Sequence, residues 1–115
     1  MARTAISVQT VITSGTGLTP SYATVDNANG NYFTWPGGRV FLHVKNTNAA
    51  TRTLTLDAPQ TIDGLAMADP TYTIAATTGD HMIGPLSDKL VQTNGQVYLD
   101  WNAATNCTVA VISIA

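Results

Sequence analysis

"GGRVFLHVKNTNAATRTLTLDAP", residues 37–59, is the stretch that decides the fold. Apolar and polar residues alternate from Arg39 to Lys45. The pattern breaks over Asn46–Ala50 and resumes from Thr51 to Asp57. A period of two marks a strand with one buried face. With Asn46–Ala50 as the loop of a hairpin, Lys45 is expected opposite Thr51, Leu42 opposite Leu54, and Val40 opposite Leu56. Those four aliphatic side chains then share one face. The other face would pair Phe41 with Thr55, His43 with Thr53, and Arg39 with Asp57. Such cross-strand pairs contribute roughly 0.2–1 kcal/mol each. A one-residue slip would turn the aliphatic set to water, so this register is expected to be well determined.

The same logic extends to the end of the chain. With Asn102–Asn106 as loop, Leu99 is expected opposite Val109, Val97 opposite Val111, and Trp101 opposite Cys107. The tetrapeptide NAAT occurs in both loops, at 48–51 and 102–105. Aligning the two copies sets Leu54 against Thr108 and Leu56 against Ala110. The faces disagree, so the echo reads as a shared turn preference and not a duplicated half-domain.

Between these landmarks, turn signals recur about every ten residues, as in sandwiches and barrels. They include SGTG at 14–17, NANGN at 27–31, WPGG at 35–38, TTGD at 77–80 and TNGQ at 93–96. The runs between them give eight or nine strands: Ile6–Ile12, Ser21–Val25, Asn31–Trp35, Arg39–Lys45, Thr51–Asp57, Tyr72–Ala75, His81–Ile83, Val97–Trp101 and Cys107–Ile114. Only Leu86–Val91 is compatible with a short helical turn. The 115 residues include nineteen Thr, no Glu and two Lys. Thr suits a pleated surface, whereas Glu and Lys are good helix formers. The expectation is an all-β chain: one antiparallel β-sandwich over 1–115, jelly-roll-like, with one hydrophobic core.

Charge narrows the functional classes. Charged residues are 10% of the chain and the net charge is −2, against about 25% charged in a typical soluble domain. No basic run exists, so neither nucleic acid nor an anionic membrane is an expected partner. A surface of Thr, Asn, Ala and Gly enters a protein contact at little desolvation cost. Cys107 is the single cysteine, which excludes an intrachain disulfide and suits a reducing compartment. No apolar run has the length of a signal-peptide core or a membrane helix.

No catalytic set stands out. Ser, His and Asp are present without a G-x-S-x-G elbow. His43 reads as a strand residue on the mixed face, and His81 follows Asp80 at a turn. The seven Asp and two His show no metal-ligand spacing. Most Asp sit in turns, where they bond their own backbone. SGTGLTP lacks the Lys and helix of a phosphate loop, and Asn106–Cys107–Thr108 is a chance sequon at a strand start. No enzyme activity, metal or cofactor is expected.

Two features suggest contacts. Tyr22, Tyr32, Phe33, Trp35, Tyr72, Tyr98 and Trp101 could form a core set with rim tyrosines, a sugar-stacking platform, or a protein interface. For the interface reading the candidates are Tyr32 and Trp35, which face opposite ways along one strand. At the N-terminus, Ile6, Val8 and Ile12 give a one-sided strand, followed by TSGTGLTP at 13–20. Residues 1–20 read either as the first sandwich strand or as an extended arm plus hinge that adds to a neighbour's sheet edge.

Most of the chain after Gly38, above all the stretch from Gly37 to Leu86, resembles small uncharacterised proteins from the head modules of tailed bacteriophages. The recurring features are the FLHVKN strand (41–46), a Thr/Val strand after a polar turn, IDGLAMADPTYTIAA (62–76), HMIGP (81–85) and a closing VYLDW strand (97–101). These are strand and turn patterns, and they carry no residue-level binding assignment. The resemblance implies a non-enzymatic virion protein on the capsid surface, of decoration or cement type. Its partners would be the major capsid protein and itself, as a dimer or trimer. The competing functions are a carbohydrate-binding module of a tail or adhesin, and a head–tail connector or tail protein.

Overall fold

The structure is a computed structural model. It describes residues 3–11, 15, 17–59, 61–62, 65–66, 68–86 and 88–114. Its strands are β1 Thr4–Ala5, β2 Val8–Thr10, β3 Ala23–Thr24, β4 Asn31–Thr34, β5 Arg39–Asn46, β6 Arg52–Leu56, β7 Thr61–Ile62, β8 Leu65–Ala66, β9 Thr71–Ile74, β10 Gly79–Ile83, β11 Gln96–Trp101 and β12 Cys107–Ile114. A 3-10 turn covers Asp88–Leu90, inside the stretch that the sequence marks as a helical turn.

Two sheets pack face to face as a β-sandwich. The first has the order β1-β4-β11-β6-β9, and the second the order β10-β5-β12-β2, with β3 also paired to β12. β7 and β8 form a separate small hairpin. The pairings are antiparallel except at the N-terminus, where β1 runs parallel to β4 and β2 parallel to β12. The sheets are therefore mixed and not wholly antiparallel. Strands outnumber the eight or nine expected because β1 precedes the expected Ile6–Ile12 strand, and β7 and β8 lie where no strand is expected.

The expected hairpins do not form. β5 pairs with β10 and β12, and β6 pairs with β11 and β9, so the two strands lie in different sheets. Leu42 neighbours Val111 and Ile83, and Leu54 neighbours Trp101 and Tyr72. β11 and β12 are likewise split between the sheets. Arg39 pairs with Ile114 and not with Asp57. Both loops are arches that carry the chain across the sandwich. Alternation dictates which side chains turn inward, and an arch satisfies it as well as a hairpin. In a hairpin the inward residues sit side by side, whereas in an arch they meet across the core. Val40, Leu42, Leu54, Leu56, Val97, Leu99, Val109 and Val111 are all fully buried, as their faces require.

The two NAAT loops lie next to each other, with the Thr47 amide donating to the Asn106 carbonyl at 3.0 Å. Asn106 occupies the left-handed region (φ 59°), which Asn tolerates better than most residues. The connection between β9 and β10 joins the same pole, where the Thr77 amide donates to the Asn48 carbonyl at 2.7 Å. Asn46, fully buried, ties the pole together. Its amide donates to the carbonyls of Ala50 and Ala75, and its Oδ1 accepts from the Asn48 amide.

The two long sides of the sandwich differ. On one side the N-terminal segment passes from β1 in the first sheet to β2 in the second and buries Ile6 between them. On the other side β9 and β10 are the last strands of their sheets. A cleft of about 700 Å³ separates them, lined by residues 70–73 and 81–86 together with Leu90.

Candidate functional site

The outer faces of the two sheets have opposite character. On the first sheet, Thr53, Thr55, Thr71, Thr73, Tyr32 and Tyr98 alternate with the inward residues. Tyr32 lies opposite Tyr98, whose ring carries the Arg3 guanidinium at 4.2 Å. Arg3 also pairs with Asp100 at 2.8 Å. This is the polar outer face usual for a half-exposed sheet.

The second sheet departs from that rule. Its outward residues form rows across β10, β5 and β12: Asp80–Lys45–Thr108, Met82–His43–Ala110, then Phe41–Ile112, then Arg39–Ile114. Gln9 extends the third row, and Val11 follows β2 at the end of the fourth. Among the described residues four large hydrophobics are exposed, and three of them lie here: Met82 at 61%, Ile114 at 46% and Val11 at 44%. The fourth, Leu65, is on the β7–β8 hairpin. A shallow apolar hollow of about 290 Å³ lies among Phe41, Met82, Pro85 and Ile114, with Arg39 at its rim. Contiguous exposed apolar surface of this kind marks a site of association.

Gly84 shapes the hollow. It sits at φ +147°, and a Cβ there would come within 2.7 Å of the Phe41 Cβ and 3.0 Å of its Cα. Only glycine allows the chain after β10 to lie directly on β5 and bring Pro85 alongside Phe41.

The opposite end of the face is polar and rigidly built. His43 stands between Tyr22 and Asp80. The Asp80 carboxylate only accepts, so His43 Nε2 carries the proton and donates to it. In the neutral ring Nδ1 accepts from the Tyr22 hydroxyl at 2.7 Å. That bond from His43 holds the Asp80 carboxyl below its usual value of 3.8. Lys45 lies over the Tyr22 ring, its ammonium 4.4 Å from the centroid. Both imidazole nitrogens are occupied, so the trio offers no open lone pair for proton abstraction. Its effect is to anchor the segment before β3 to the sheet. The sequence places His43 beside Thr53; the structure places it between β10 and β12.

Of the residues that the sequence puts forward for contacts, Ile6, Val8 and Tyr32 line one depression of about 460 Å³ beside the N-terminal crossing. Ile6 is buried there, and Val8 is half-buried against the core. Trp35 also packs against the core, outside that depression. Ile12 lies outside the described residues. Of the seven aromatics, Phe33 and Trp101 are core residues and Tyr22 is on the other sheet. Only Tyr32 and Tyr98 face outward side by side. The sequence does not bring the apolar half-face together, because it sets Phe41 opposite Thr55 and gives the Met82 strand no neighbour. Its signal is Val109–Ala110–Val111–Ile112, apolar at successive positions, which implies cover on both faces of β12. Ala110 and Ile112 are indeed buried although they point outward.

Among the described residues no group of three His, Cys or Asp side chains could hold a metal ion. Among the described residues no helix is long and apolar enough to cross a membrane. Burial pushes the Cys107 thiol up from its usual 9.0. Compared with protein-family models, curated proteins and solved structures, the chain matches none of them.

Proposed function

We propose that the protein is a non-enzymatic virion component that binds the major capsid protein lattice as a homo-oligomer and reinforces the head. The observation that carries this reading is the apolar half-face of the second sheet, which calls for a protein surface to cover it. The scarcity of charge supports it, because an uncharged surface is desolvated cheaply against a shell. The strand order adds support. With β1 and β2 set aside, the orders β3-β12-β5-β10 and β4-β11-β6-β9 agree with a jelly-roll reading of the sandwich. That architecture recurs in capsid proteins and also in lectins, so it favours the virion class without deciding the role.

The test is co-sedimentation of the purified protein with emptied capsid shells. Saturable binding, with copies in proportion to the shell lattice, is expected. Absence of shell binding, together with glycan binding that is lost on Trp35→Ala, would overturn the proposal in favour of a sugar-binding module.

A further inference from the structure

We infer that the apolar half of the second sheet's outer face is covered by the same face of a second copy, related by a twofold axis. This deepens the oligomer reading above by naming the surface and the occupant. The face carries exposed Arg39 at one end of β5 and Asp80, 59% exposed, at the opposite end of β10. Lys45, the other cation in the Asp80 row, is held over the Tyr22 ring on the far side of β5 from β10. Asp80 thus presents an accessible carboxylate beside the apolar patch.

Two identical faces meet about a twofold axis that lies in the plane of contact. An axis running across the strands, between the Phe41 and His43 rows, reverses the strand direction in the second copy. Phe41 then lies over the Met82–His43 row of the second copy, and Met82 over its Phe41. Arg39 reaches the row of Asp80 and Lys45. To meet Asp80 itself, Arg39 must shift by one strand, about 4.8 Å at a point about 10 Å from the axis, half the distance between those rows. That shift corresponds to strands crossing at about 30°, the magnitude at which β-sheets pack face to face. One arrangement therefore satisfies the apolar contact, the two Arg39–Asp80 pairs and the packing angle together.

The size of the face limits its strength. Four strands and the rows from Arg39 to Lys45 give at most about 400 Å² in projection, less the part at Ala110 and Ile112 that the chain itself buries, against about 800 Å² per partner in a standard stable interface. The free dimer is therefore weak, with a dissociation constant of about 10 µM or higher. A lattice that holds two copies close together would strengthen the pairing through effective concentration.

Sedimentation equilibrium of the full chain up to about 1 mM tests the inference. A reversible monomer–dimer equilibrium is expected, weakened about tenfold or more by Met82→Asp. Met82 is exposed, so the variant should melt like the wild type. Arg39→Asp alone and Asp80→Lys alone should each weaken association, because each sets like charges against each other. An equal mixture of the R39D and D80K proteins should associate again, because both pairs in the mixed dimer are of opposite charge. A wild-type chain that stays monomeric at about 1 mM would overturn the inference. So would a dimer indifferent to Met82→Asp, or a mixture that fails to recover. If the wild type is monomeric while Met82→Asp abolishes binding to shells, the face belongs to the capsid protein. The virion reading would then survive and the dimer would not.

Discussion

Asn31 is completely buried, and each polar atom of its side chain is paired. Oδ1 accepts from the Trp101 indole and from the Asp26 amide, both at 2.9 Å, and Nδ2 donates to the Thr4 carbonyl at 3.2 Å. One side chain thereby joins β1, the turn before β4 and the end of β11. Asn31→Ala would strand those partners without bonds. A loss of about 3 kcal/mol in chemical denaturation is expected, near the cost of a few unsatisfied buried groups. Asp26 is the surface counterpart. The Thr4 hydroxyl first, then the Asn29 amide, hold its carboxyl below the usual 3.8. Asp80 is lowered in the same direction, by His43. A carboxyl depressed in the folded state binds its proton more readily when unfolded. Its contribution is intact above about pH 4 and is lost as pH falls through the folded-state value. Asp26→Asn with Asp80→Asn should therefore lower the melting temperature at pH 7 and flatten its decline below pH 4. An unchanged acid limb would count against those bonds. None of these polar partners was legible in the sequence, because Asn and Asp in turns look alike whether they face water or a buried indole.

At the scale of elements, the sequence carried the face of each strand but not its neighbours. Leu42 and Leu54 turn inward in either a hairpin or an arch, and a loop like Asn46–Ala50 closes both. The choice is made by the rest of the sheet, where β12 gives β5 an eight-residue antiparallel partner that β6 could not match. β11 likewise takes β6 on one side and β4 on the other. NMR distinguishes the two arrangements directly. Cross-strand contacts are expected between Lys45 and Thr108 and between Leu54 and Trp101, with none between Lys45 and Thr51. The reverse pattern would restore the hairpin. The candidate face was half-legible for the same reason. Phe41, Met82 and Ile114 could each be placed on a strand. They become one patch only when β10, β5 and β12 are known to lie side by side.

For the whole molecule, the scarcity of charge and the exposed apolar half-face that the sheets assemble both support the proposed contact role. A sandwich closed on one side by its own N-terminus, with an apolar outer face, is suited to being built into a larger assembly. The decisive observation is how many copies a particle holds, counted by quantitative mass spectrometry of purified virions from lysates in which the protein is made. Copies on the order of hundreds per particle, matching the capsid lattice, are expected. A count no larger than a single ring of subunits, or no protein in the particles at all, would contradict a role in reinforcing the head.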